Sequence, residues 1–473
     1  MRRIIYALLV AAISTGSVSA QSKVFNQIAG AIRSDLSEIT QNRKVVGYVR
    51  LVQLEKADKN TYNYELQIMD ENLNDISTAK FSDGYLDMND VAFEGDVICV
   101  TFIKIYKPNT YAQHNASAEL YFINLEGKVV KTQTIESKQI ERGVTRNLPG
   151  IGFVYHKVAK DYSLTAFDQS GKQLWEKSID GYAGRLAATS KMISYYDRKA
   201  KSINLMNASD GKSFYSKEIE LKKKHAHNFL SVQVFEDTVY YSGVIDHTNN
   251  ITFKDTKKGY QKGLVVVKAW APNNKAVKVT QNYWADGNLS DISKLSANPD
   301  DKKESYLFEN AVTTKDGSTY FYANSITRKP RYGNAVASVI CAPLIFPSML
   351  MAMTGYNKYY VTDAAVFKLT PNNRFTKVTT ITQERSSKRY GKAIITPRYT
   401  RHLIDEEGTN AYFVGVDGKN TDITNLVTKK TKYIPVSSGN ISSSVYPAKE
   451  GHFMLVENNT STKSVKLSIV PLQ

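Results

Sequence analysis

Cysteine is nearly absent from this chain: Cys99 and Cys341 are the two it carries in 473 residues. That scarcity excludes a disulfide framework, leaves a single bridge open, and makes the fold rest on its own apolar core. Also missing are Gly-x-Ser-x-Gly, His-Glu-x-x-His, a Walker phosphate loop and Cys-x-x-Cys. The local signatures of serine hydrolases, zinc proteases, nucleotide hydrolases and thiol redox enzymes are therefore lacking. Helical periodicity is scarce, since the three-and-four spacing of apolar residues does not clearly return beyond Lys44. Concentrated charge is lacking too. The formal balance is +17, or +15 once Arg2 and Arg3 are set aside, yet the longest basic run is Lys222-Lys223-Lys224. Such an excess favours anionic neighbours, but nucleic-acid binders gather it into a stripe with interleaved aromatics. A diffusely basic exported protein is expected instead, with nucleic acid not among its partners.

What is present begins with a secretory signal. Arg2 and Arg3 form its charged start, Ile4 to Ile13 its apolar stretch, and Val18-Ser19-Ala20 a small-x-small cleavage site. Cleavage after Ala20 makes Gln21 the new N-terminus, and with no cysteine at that point the lipoprotein route has no acceptor. The apolar stretch is too short to span a membrane comfortably. Export to the periplasm or the exterior follows; no C-terminal sorting domain is evident, which leans toward the periplasm.

Behind the signal, Phe25, Ile28, Ile32, Leu36 and Ile39 recur at spacings of three and four, predicting one amphipathic helix over about 23–41. The leader thus covers 21–43. From Lys44 to the end, short β-rich runs alternate with Asp, Asn or Gly turns, and tyrosine is unusually frequent at 30 residues. The turns fall in phase. Asp70–Asn74, Asn124–Lys128, Asp168–Lys172, Asp210–Lys212, Pro272–Lys275, Pro371–Arg374 and Asp417–Lys419 occupy like places. Lys128, Lys172 and Lys212 are 44 and then 40 residues apart, the length of a propeller blade. Wider gaps of 63 and 99 residues imply insertions, the larger around 325–360. A four-stranded blade exposes two apolar faces that only neighbours in a closed ring can cover. The expectation is an all-β chain, a single β-propeller of seven blades with eight as the alternative, over residues 44–473. The last strand, Ser464 to Val470, lacks a partner of its own. An N-terminal strand such as Val45 to Leu54 is expected to complete the final blade.

The run Leu164-Thr165-Ala166-Phe167-Asp168, followed by Gly171-Lys172-Gln173-Leu174-Trp175, resembles the repeat of quinoprotein-type (PQQ-like) propellers. Those repeats carry an Asp, a Gly-Lys turn and a Trp that docks between blades. Other blades have Lys131 or Tyr215 where Trp175 stands. The resemblance therefore implies the fold and not a quinone, and no cofactor is expected. The whole chain also resembles exported propeller-like proteins of unknown function from Bacteroidota, which imply no activity and no functional residues.

Candidate sites are few. The stretch from Ala335 to Gly355 holds no charged residue, and Pro343 and Pro347 interrupt any helix that would cross a membrane. It is either a buried cap on the propeller face or an exposed apolar loop that docks on a membrane or partner. In the second case Leu344, Phe346, Met349, Leu350, Met351 and Met353 make the contact. Arg328, Lys329, Arg331 and Lys358 beside them would favour an anionic headgroup layer. His225 and His227 have metal-ligand spacing on a strand, but with no acid or thiol nearby they read as a solvated basic loop and no metal is expected. Asp70 to Asp75 lacks the glycine and glutamate of a calcium loop and reads as a blade turn. Ser77-Thr78-Ala79-Lys80 has penicillin-binding spacing but sits in a strand without its partner motifs. Carboxylates from separate blades, such as Asp180, Asp246, Asp286 and Glu309, could meet for glycoside hydrolysis, though nothing singles them out. The main expectation is a non-catalytic binding protein for a protein, an envelope surface or a glycan. The rival is a glycan-acting hydrolase with acids at the central channel.

Overall fold

The computed structural model describes residues 21–25, 33–41, 43–105, 116–136, 142–159, 161–222, 225–247, 261–270, 277–284, 305–330, 357–381, 387–390, 399–405, 407–416, 420–435 and 441–472. Every regular element among them is a strand, and the strands form eight antiparallel sheets. The molecule is an eight-bladed β-propeller. In chain order the blades comprise residues 33–83, 85–135, 142–179, 183–218, 225–283, 305–381, 399–435 and 441–471, and we number them 1 to 8. The first strands of successive blades lie against one another around the axis, and the fourth strands lie outermost.

The reason for the ring is visible in the burial of each blade. Second strands such as Gly152–Val158, Met192–Asp197 and Ala411–Val416 are buried along their whole length, because both faces meet a neighbouring blade. Fourth strands such as Val129–Ile135 are largely exposed. Eight apolar clusters result, one at each blade-to-blade interface. Between blades 2 and 3, for example, Phe122 meets Phe153 and Phe167 with ring centroids 5.7 and 5.6 Å apart.

The turn between third and fourth strands is one conformation reused. Asp70, Asn124, Asp168, Asn207, Thr370 and Asn425 each open it, and each donates its backbone N–H to the carbonyl four or five residues on. Each turn holds one residue at positive φ: Leu73, Gly127, Gly171, Gly211, Asn373 and Lys429. The Asp70–Asp75 stretch is thus a blade turn, with Asp70 accepting from Asn72 and Asn74.

Three expectations need correction. The ring has eight blades, not seven. Residues 417–419, expected to be an in-phase turn, lie outside the described residues, between the second and third strands of blade 7, Ala411–Val416 and Asn420–Asn425, and the in-phase turn follows Asn425. Blade 8 also hides, because it borrows its fourth strand. Among the described residues the expected N-terminal helix is not formed: Gln21–Phe25 and Arg33–Gln41 are strands, and 26–32 lie outside the described residues. Leu36 and Ile39 are three apart because Leu36 packs toward blade 8 and Ile39 toward blade 2. A strand buried on both faces imitates one face of a helix. Finally, the strand that completes blade 8 is Gln21–Phe25, paired antiparallel with Ser464–Pro471 from Gln21 opposite Ile469 to Phe25 opposite Val465. Lys44–Lys56, which contains Val45 to Leu54, is the second strand of blade 1.

Candidate functional site: cavities at the start of the inner strands

First strands face the axis, and four of the eight carry an inserted residue, with register shifts at Met88/Asp90, Gly184/Ala187, Phe229/Ser231 and Phe308/Asn310; in blade 1 the extra residue, Val46, is on the second strand. A bulge inserts a residue, bends the strand and re-aims side chains. The residues after two of them act alike. Asp90 accepts from Val91 N at 3.0 Å and from Thr145 N and Arg146 Nη1 of blade 3 at 2.9 and 3.0 Å. Asn310 accepts from Ala311 N at 2.9 Å and from His402 Nδ1 of blade 7 at 2.8 Å.

At the first-to-second-strand turns opposite blades meet across the axis, beside a cavity of about 290 Å³ lined by Arg43, His402, Asp405 and His452. Arg43 of blade 1 lies 4.5 Å over the ring of Phe235 in blade 5, the blade diametrically opposite. Gly408 of blade 7 sits against Phe235 at a φ of +74°. Lys315 of blade 6 joins these turns by donating its backbone N–H to Gly408 O at 2.8 Å and pairing with Glu236 at 3.0 Å. Deeper in, His402 also accepts at Nε2 from Gln233 Nε2 at 3.0 Å. Burial first, then the charges of Arg185 and Arg401, lower its pKa to about 4. Arg401 reaches Glu38 of blade 1 at 3.1 Å.

The other end carries the second-to-third-strand and inter-blade connections, many of which lie outside the described residues, and two cavities lie among the described residues toward it. The larger, about 650 Å³, lies between blades 8, 1 and 2 and is lined by Asp35, Arg50, Asn89, Asp90, Ser442 and Ser444 among others. The smaller, about 280 Å³, lies between blades 3, 4 and 5 and is basic: Arg146, Arg185 and Arg198 line it with Tyr182, His227 and Asn228. The Arg146–Asp90 pair bridges the two cavities. Arg185 stands in the bulge of Ala183–Ala188 at a φ of 57° and donates through Nε to Phe229 O at 2.8 Å. Desolvation of the guanidinium lowers its pKa, the charge of Tyr182 opposes that, and the charge of Arg146 adds to it. His227 meets Tyr196 Oη through Nδ1 at 3.2 Å and accepts at Nε2 from Gln281 at 3.1 Å. Burial, with Lys201, holds it neutral down to about pH 4.

The residues singled out from sequence fare unevenly. Leu344, Phe346, Met349, Leu350, Met351 and Met353 lie outside the described residues, as does Ala20. The strands flanking the apolar segment end at Pro330 and resume at Asn357, at the end of blade 6 where its inner strand begins. Gln21 opens the closing strand. His225 and His227 begin an inner strand rather than a solvated loop, and His227 is buried. Among the described residues no cluster of His, Cys, Asp or Glu is placed to hold a metal. Cys99 is a buried free thiol, and Cys341 is outside the described residues. Asp180 is exposed between blades 3 and 4, and Asp286 is outside the described residues. Asp246, raised to about 6 by burial, and Glu309, bonded by Asn324 at 2.6 Å, sit on different blades. Neither lines either cavity. The arginines of the smaller cavity were not found from sequence, because Arg142–Leu148 and Ala183–Ala188 have too little alternation to read as strands.

Comparison with known proteins adds one family. Residues 1–147 match a family of unknown function, DUF6770. The match covers under a third of the chain, and no curated protein matches it. Among solved structures, BamB from Moraxella catarrhalis is similar at 10% identity, over 94% of this chain and 100% of that one, with a TM-score of 0.41. The Dos1 propeller is similar at 10% identity over 95% of each chain, with a TM-score of 0.46. The WD40 domain of SCAP from fission yeast is similar at 8% identity, over 96% and 98%, with a TM-score of 0.42. No helix among the described residues is long and apolar enough to cross a membrane.

Proposed function

We propose that this protein is an exported, non-catalytic β-propeller that receives a protein, an envelope surface or a glycan at the mouth of its ring where the inner strands begin. The observation that carries this reading is the character of that mouth. At the far end Arg43 and Phe235 meet across the axis. The near end presents arginines, tyrosines and amides, with Asp90 already held by Arg146. Hydrolysis of a glycan would need two carboxylates about 5–9.5 Å apart and free to act. Export is supported by the signal-like first twenty residues, whose removal leaves every described strand in place. The test is to incubate the purified mature chain with envelope fractions of its source and follow both sedimentation and soluble sugar or peptide. Saturable sedimentation without product is expected. Product released over many turnovers would overturn the reading. Deleting 335–355 should release the protein if that segment makes the contact, and unchanged sedimentation would assign the contact to the mouth itself.

A further inference from the structure

We propose that the smaller cavity, between blades 3, 4 and 5, is a binding site for a tetrahedral oxyanion, the phosphate or sulfate group of the ligand. The inference rests on the binding reading above and names the chemistry that the mouth recognises.

Three guanidinium groups line about 280 Å³. Arg146 is committed: its Nη1 donates to Asp90 at 3.0 Å and to Thr145 O at 2.7 Å. Arg185 and Arg198 have no carboxylate partner among the described residues, although ten ion pairs are formed among those residues elsewhere. Like charges facing one cavity repel, and an anion between them reverses the sign. The donor count agrees. Among the described residues one of the five N–H donors of Arg185 is used, by Phe229 O at 2.8 Å, which fixes the plane of the fork and leaves both terminal nitrogens toward the cavity.

The backbone gives a second, independent indication. Arg185 holds a φ of 57° inside a bulge of the inner strand. Seven other described non-glycine residues share such a φ, all of them in turns between strands, whereas Arg185 holds it within a strand, where a bulge re-aims the side chain. The other bulges place Asn89, Leu230 and Glu309 at the inserted position, and each has ordinary φ. A packing role would be met by glycine without strain, so the arginine side chain is what the site retains. The volume sets the scale. At about 30 Å³ per water it holds roughly nine waters, enough for an oxyanion and its nearest atoms but below the range of ordinary ligand pockets. The site therefore takes the charged end of a ligand whose remainder extends over the mouth.

Calorimetry with the purified mature chain tests this, using inorganic phosphate, inorganic sulfate and glucose 6-phosphate, with glucose and sodium chloride as controls. Phosphate, sulfate or both should bind and the controls should not. Tighter binding of glucose 6-phosphate than of inorganic phosphate would identify an ester as the source, and the reverse a free ion. Arg185→Gly keeps the backbone conformation without strain and should weaken binding at least 10-fold at unchanged folding. Arg198→Gln, on an exposed turn, is the second variant and should weaken it several-fold. No binding by the intact protein, or unchanged affinity in both variants, overturns the inference. The same preparations go into the envelope sedimentation assay. Sedimentation without oxyanion binding sinks the site and leaves the binding role, whereas oxyanion binding without sedimentation does the opposite.

Discussion

His156 is the residue whose burial is most completely uncompensated. It lies on the second strand of blade 3, and both ring nitrogens are buried without a hydrogen-bond partner among the described residues. The aromatic rings of Tyr162 and Tyr182 flank it, 6.4 and 5.5 Å away. Burial lowers its pKa to about 4, as it does those of His227 and His402. The unfolded chain protonates these groups near pH 6.5 and the folded one only near pH 4. Between those values the unfolded state binds more protons, so stability is full above about pH 6.5 and falls as pH drops toward 4. At pH 5 each histidine costs on the order of 2 kcal/mol. Replacing His156 with Phe keeps the stack and removes the titration. Urea unfolding at pH 7 and pH 5 should show the gap between the two shrink by about that amount, and an unchanged gap would mean that His156 is solvated or bonded in solution.

At the scale of the element, the third-to-fourth-strand turn offers a paired experiment. Gly211 has a φ of 68°, and a Cβ built there would stand 2.7 Å from Cε3 of Trp175 in the preceding blade. Trp175 itself donates through Nε1 to Ala208 O at 3.1 Å, so turn and tryptophan lock blades 3 and 4. Gly211→Ala should lower stability by about 1–3 kcal/mol through strain and displacement of the indole. Lys429 occupies the same place in blade 7 at a φ of 63°, with an exposed side chain. Lys429→Gly should raise stability by up to about 1 kcal/mol, and thermal unfolding of the two variants in opposite directions is the check. These turns and the second, third and fourth strands beside them were legible in sequence. Their apolar runs end within a residue or two of the observed bounds in blades 1 to 3. The inner strands were not. Residues 85–94, 142–148 and 183–188 mix Asp, Asn and Arg with apolar residues, and two of these three strands are bulged, so their alternation breaks. The site was illegible for the same reason, since it is built from those strands. The meeting of Arg43 with Phe235 joins residues that only the closed ring brings together.

For the whole molecule the decisive contact is the one that closes the ring. Gln21–Phe25 supplies the outermost strand of blade 8, and it is also bound to blade 1. Lys23 donates to Leu73 O at 3.1 Å and pairs with Asp75 at 2.6 Å. The guanidinium of Arg50 lies 4.1 Å over the Phe25 ring. The surface ion pair adds little by itself, but the strand hides the edge of Ser464–Pro471 and half-buries Phe25 against the larger cavity. Removing residues 21–25 exposes a row of unpaired backbone groups that a second chain can pair with. It also gives up about 1.5–3 kcal/mol from the phenylalanine, in proportion to its burial. The shortened chain should unfold at lower denaturant and, at raised concentration, form dimers or larger species by light scattering. Phe25→Ala should show the loss of stability without the self-association, because the strand remains. A shortened chain that stays monomeric with an unchanged midpoint would mean that blades 8 and 1 close the ring through their apolar interface alone.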